Sequence, residues 1–162
     1  MTNPFDPLRG IAVLLAHDVQ FVMIGGLAGR MWGSPTVTND LDVCHDTSAG
    51  NLRNLSAALT ELEARLRGVD GDVAWSPSVE ALRAAESFTL ATTAGNLDLL
   101  ARPAGTTGYD DVATTATEMD LGDLRVLVAD VEDLIRMKRA TGRPKDLIEV
   151  EVLGAVLEEL DP

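Results

Sequence analysis

The chain has 162 residues, 46% of them hydrophobic but only 4% aromatic, which suits one compact domain with a core of Leu, Val and Ala. A formal net charge of -13, from 26 acidic and 13 basic residues, argues against a non-specific nucleic-acid binder, since such binding rests on Lys and Arg meeting phosphates. No segment reaches the roughly 20 apolar residues of a membrane span, "MTNPFDPLRG" lacks a signal-peptide pattern, and the single Cys44 can form no internal disulfide, so a cytoplasmic protein is expected.

In chain order, residues 7–17 read as a short helix with Leu8, Ile11, Leu14 and Leu15 on one face. "QFVMI" (20–24) reads as a strand that runs into Gly25-Gly26 and a short helix over about 27–32. "GSPTVTN" (33–39) is a loop, and "DLDVC" (40–44) a second strand. Leu52, Leu55, Leu59, Leu62 and Leu66 recur at helical spacing and predict one structural helix over 50–67. Glu61–Arg65 and Glu63–Arg67 are i,i+4 pairs on its wet face, and Gly68 is its stop. A further short helix is expected over 78–85, then a β-hairpin from "SFTLATT" and "NLDLLA" about Ala94-Gly95. "LRVLVA" (124–129) resembles a strand within a segment that is otherwise hard to read. Asp130 can N-cap a helix to about Ala140, and Pro144 opens a last helix with Leu147, Val150, Leu153 and Leu157 facing inward. The pattern suggests an α+β or α/β core over 1–105 and a C-terminal strand and helical lobe over 106–162, packed together as one unit.

Asp40 and Asp42 stand two apart on a strand, so both project to one face while Leu41 and Val43 project to the other. Carboxylates so close repel unless a cation lies between them. Mg²⁺ suits the place, since it is often held by one or two carboxylates plus substrate phosphates. Asp98, by the same alternation, offers a third carboxylate if its strand lies beside 40–44, and such a trio can hold two divalent ions. A calcium loop starting at Asp40 fails, because its sixth position is His45 and its twelfth Asn51. Cys44 and His45 lack the spaced partners of a zinc site. Gly25-Gly26 at a helix start lets backbone N–H groups approach a phosphate, although neither a Walker loop nor a G-x-G-x-x-G fingerprint is present. Downstream, "RMKRATGRPK" gathers Arg136, Lys138, Arg139, Arg143 and Lys145 within ten positions, a candidate local anion site.

Strand, Gly-Gly, short helix, loop and Asp-hydrophobic-Asp, with 13 residues between Gly26 and Asp40, resembles the signature of the polymerase-beta-like nucleotidyltransferase superfamily. "IGGLAGRMWGSPTVTNDLDV" with "DLIRMKRATGRPKDLIEVEVL" is similar to minimal nucleotidyltransferases of the AbiEii and MenT toxin type. Thr36 stands where such sequences often carry Arg, and Trp32 where they carry His or Tyr. The resemblance implies an α+β fold, a mixed sheet flanked by helices with a small C-terminal helical lobe. It further implies transfer of an NMP from an NTP to an acceptor hydroxyl, with the tRNA 3′ end as one acceptor and an antitoxin protein as a partner. Asp40 and Asp42 would hold Mg²⁺, and Asp98 would either deprotonate the acceptor hydroxyl or complete a second metal site. Gly25, Gly26, Arg30, Thr38, Lys138, Arg143 and Lys145 would meet the nucleotide, and Asp146 would position Lys138 or an Arg. The alternative is a nucleotidyltransferase fold kept as a non-catalytic module that binds a nucleotide or a partner.

Overall fold

The computed structural model describes residues 4–68 and 74–161. Seven helices and seven strands follow in the order α1 (Pro7–Ala16), β1 (Phe21–Ile24), α2 (Gly25–Trp32), β2 (Asp40–His45), α3 (Ala49–Glu61), β3 (Arg65–Leu66), α4 (Val79–Arg83), β4 (Ser87–Thr92), β5 (Gly95–Leu100), α5 (Tyr109–Thr115), β6 (Thr117–Leu121), β7 (Leu124–Val128), α6 (Val131–Thr141) and α7 (Pro144–Leu160). The strands form one mixed sheet in the order β3-β4-β5-β2-β1-β7-β6. This is the α+β class with a mixed sheet and flanking helices that the sequence suggested. The C-terminal segment contributes to the same sheet, since β7 pairs in parallel with β1.

Local chemistry accounts for most boundaries. The Asp6 carboxylate accepts from the Arg9 N–H at the start of α1, and Ser48, Ser78 and Asp130 cap α3, α4 and α6 through their side chains. Gly33 and Gly142 close α2 and α6 in the left-handed region that glycine adopts freely. The buried core runs through Val22, Met23, Val43, Leu55, Leu59, Leu90, Leu99, Val112 and Val128, almost wholly aliphatic as the composition requires.

Two expectations are corrected. The helix predicted over 50–67 ends at Glu61. Glu63 takes a left-handed φ of 51°, and the chain turns into β3, which pairs antiparallel with β4. Arg67 is therefore no partner of Glu63 on a helix. On α7 the buried stripe is Asp146, Glu149, Leu153 and Val156, whereas Leu147 is exposed. The segment 106–125 resolves into α5, β6 and the turn into β7.

Candidate active site

The site begins with sheet register. β1 and β2 are antiparallel with Ile24 opposite Asp42, so the first residue of α2 lies against the Asp42 side chain. A Cβ on Gly25 would stand 2.1 Å from Oδ2 of Asp42, and Gly25 itself has a φ of +73°. Only glycine suits both the conformation and the contact. Ile24, the N-cap of α2, supplies no side-chain acceptor, which leaves the first N–H groups of this helix without a side-chain cap. Gly26 packs on Thr38, whose Cβ would lie 3.1 Å from an added methyl, and Thr38 Oγ1 accepts from the Asp40 N–H at 3.4 Å.

β2 and β5 run in parallel with Asp42 opposite Asp98 and Asp40 opposite Asn96. Asp40, Asp42 and Asp98 thus share one face, and the core side chains Leu41, Val43, Leu97 and Leu99 occupy the other. Asp42 and Asp98 are direct neighbours across this register, two carboxylates on one face. Burial, then repulsion from Asp98, pushes Asp42 up to about 7, with Asp40 adding and the Lys138 ammonium opposing. Burial raises Asp98 as well, and the Arg67 guanidinium opposes that rise.

Asp42 also lines a small cavity of about 110 Å³ with Gly25, Met137, Lys138, Arg143, Glu149 and Leu153 among its walls. Lys138 Nζ lies 3.6 Å from Oδ1 of Asp146, and Arg143 Nε donates to Asp146 Oδ2 at 2.7 Å. Asp146 is 1% exposed, and the hydrogen bond from Arg143 holds its carboxyl well below the usual carboxylate range. It fixes the turn between α6 and α7, its Oδ2 accepting from the Arg143 backbone N–H at 3.3 Å.

Several sequence candidates lie elsewhere. Arg30 donates to the carbonyls of Pro35 and Thr36, at 3.3 and 3.1 Å, and so braces the loop after α2 without lining the cavity. Lys145 is exposed and forms no ion pair among the described residues. Arg136 pairs with Asp111 and Asp133, at 3.2 and 3.1 Å.

Two site residues escaped the sequence reading. Arg67 continues the β3 ladder, its N–H donating to the Thr89 carbonyl, and Thr89 is opposite Asp98. Its guanidinium donates to Asp98 Oδ1 at 3.0 Å and to the Leu90 carbonyl at 3.1 Å, and stands 3.9 Å from Asp40 Oδ1. Glu149, buried on α7, accepts from Ser34 Oγ at 3.0 Å and Thr36 Oγ1 at 2.6 Å, fastening the loop between α2 and β2 beside the cavity. Its signal in the sequence is an acidic residue on the helical stripe that contains Leu153.

A metal fits this donor set in part. Asp42 Oδ1 is buried without a hydrogen-bond partner among the described residues, and hard carboxylate oxygens suit Mg²⁺, which takes its remaining ligands from phosphate and water. Among the described residues, however, no three His, Cys, Asp or Glu side chains are already arranged to hold a metal. Asp40 and Asp98 instead face the Arg67 guanidinium.

No family model and no curated protein matches the sequence. Solved structures do. The lincosamide antibiotic adenylyltransferase LnuA, with lincomycin bound, is similar with a TM-score of 0.62 at 13% identity over 93% of this chain and 95% of that one. ANT(2″)-Ia in complex with adenylyl-2″-tobramycin is similar with a TM-score of 0.58 at 15% identity over 93% of this chain and 87% of that one. Likeness across nearly the whole chain at identities this low is likeness of architecture, and the chain has the nucleotidyltransferase fold.

Proposed function

We propose that the protein is a Mg²⁺-dependent nucleotidyltransferase that moves an NMP from an NTP to the hydroxyl of a small molecule. The observation that carries this reading is Asp42, opposite Asp98 in the sheet, packed against Gly25 and sharing a cavity with Lys138. The acceptor oxygen bonds to the α-phosphorus as the bond to the β-phosphate oxygen breaks, and pyrophosphate leaves. Asp98 takes the hydroxyl proton, Lys138 meets triphosphate charge, and Asp146 holds Lys138 and Arg143 in place. Asp42, with Asp40 beside it, would hold Mg²⁺, which would supply neutralisation of the triphosphate charge.

The charge distribution supports a small-molecule acceptor over the tRNA 3′ end. Of the five cations in the 136–145 cluster, Arg136 is engaged by Asp111 and Asp133 and Arg143 by Asp146, which leaves little continuous positive face for an RNA backbone. A net charge of -13 attracts a cationic acceptor instead. The adenylyl-2″-tobramycin complex of ANT(2″)-Ia and the lincomycin complex of the adenylyltransferase LnuA support a small-molecule acceptor.

The test presents each of the four α-³²P-NTPs with Mg²⁺ to hydroxylated amines, lincosamides and bulk tRNA. Label should pass to a small molecule. Label on tRNA alone would favour the toxin-type reading with an antitoxin partner, and nucleotide binding without transfer to any acceptor would favour the non-catalytic module.

A further inference from the structure

Three carboxylates face two cations in this site: Asp40, Asp42 and Asp98 against Arg67 and Lys138. The cations are not equivalent. Lys138 approaches from α6 and is tied to Asp146, on the cavity side of Asp42. Arg67 approaches from the opposite side of the sheet face, following β3, three strands from β2, and bridges Asp98 at 3.0 Å and Asp40 at 3.9 Å. It is also anchored. Its backbone N–H belongs to the ladder with Thr89, and its guanidinium donates to the Leu90 carbonyl, so strand pairing fixes where the charge can sit. A guanidinium spanning two carboxylates neutralises the charge that would otherwise recruit a divalent ion there.

We propose that Arg67 is a resident counter-cation that stands in for a second divalent ion between Asp40 and Asp98, so that this chain takes one divalent ion where the bare trio would take two. The inference rests on the nucleotide-site reading for the ion at Asp42, but it concerns ion number and not turnover. Arg67 touches neither reacting atom in this account. It is a positioning residue that acts through Asp98 and Asp40.

Mn²⁺ titration of the full chain without nucleotide, with free Mn²⁺ read by electron paramagnetic resonance, tests it. Arg67→Met should bind one more Mn²⁺ per chain than the wild type, and Arg67→Lys, which keeps the charge, should match the wild type. Asp98→Asn in the Arg67→Met background should lose the extra ion. Equal counts in wild type and Arg67→Met, zero included, would overturn the proposal. Should Arg67→Met not fold, judged by circular dichroism, Arg67→Gln answers the same question on the same criterion. Failure here is distinct from failure of the enzyme reading. Transfer of label by a wild type whose ion count equals that of Arg67→Met sinks only the counter-cation. An extra ion in Arg67→Met with no transfer by the wild type sinks only the enzyme.

Discussion

Gly25 and Asp42 are in contact so close that a single methyl on Gly25 would lie 2.1 Å from the Asp42 carboxylate oxygen. The glycine is required by the aspartate. Because β1 and β2 are antiparallel with Ile24 opposite Asp42, the start of α2 and the carboxylate are held as neighbours by backbone pairing. Gly25→Ala should therefore destabilise the fold by about 1–3 kcal/mol, combining overpacking with an unfavourable positive φ. Urea unfolding measures it. In an Asp42→Gly background the same substitution should cost less, because the crowded oxygen is gone. Equal costs in both backgrounds would separate the two residues.

Asp42 carries a pH signature. Its pKa is raised from the ordinary 3.8 to about 7 by burial and by Asp98, so the folded protein holds a proton there that the unfolded chain releases. A carboxyl raised in the folded state leaves stability intact below the unfolded value, and stability is lost as pH rises through the folded one. The metal-free wild type should lose melting temperature relative to Asp42→Asn as pH rises from about 4 to 7, and Mg²⁺ should restore more of it at pH 7 than at pH 5. Parallel profiles for the two proteins would show that Asp42 carries no such burden.

His45 has the opposite sign. It is 1% exposed, neither ring nitrogen has a partner among the described residues, and burial pushes it from 6.5 down to about 4. The folded state keeps it neutral while the unfolded chain takes up a proton, so stability present above pH 6.5 is lost as pH falls toward 4, by about 3 kcal/mol. His45→Phe should flatten this acid limb in equilibrium unfolding. An unchanged limb would place the acid sensitivity in other groups.

The loop between α2 and β2 hangs on one carboxylate. Thr36 and Ser34 both donate to Glu149 from across the chain. Thr36→Val should cost about 1.5–3 kcal/mol, as for a hydrogen bond to a carboxylate. In a double-mutant cycle with Glu149→Gln the costs should be non-additive by at least about 0.5 kcal/mol. Strict additivity would mean that the loop is held by something else.

What the sequence makes legible here is local. Strand, Gly-Gly, helix and the Asp40–Asp42 alternation each follow from neighbouring residues, and the hairpin brings Asp98 to a predictable parity. Arg67 was hidden because the leucine spacing continues through Leu66 after the helix has ended at Glu61. A left-handed Glu63, a conformation without a distinctive residue type, breaks the helix without breaking the period. Glu149 was hidden because an acid on a helix is ordinarily read as solvated, and its partners Ser34 and Thr36 lie more than a hundred residues away. The pairing of Arg136 within the 136–145 cluster has the same origin, since Asp111 meets it only after α5 has folded against the sheet.

The central claim is that an NTP binds where Gly25, Asp42 and Lys138 converge, its phosphates at the mouth of their cavity. Calorimetric titration of wild type and Asp42→Asn with each NTP, with and without Mg²⁺, tests it most directly. The account predicts one site for at least one NTP, dependent on Mg²⁺ and weakened at least tenfold, about 1.4 kcal/mol, in Asp42→Asn. Binding of undiminished affinity in Asp42→Asn, or no binding of any NTP by the wild type, would contradict it.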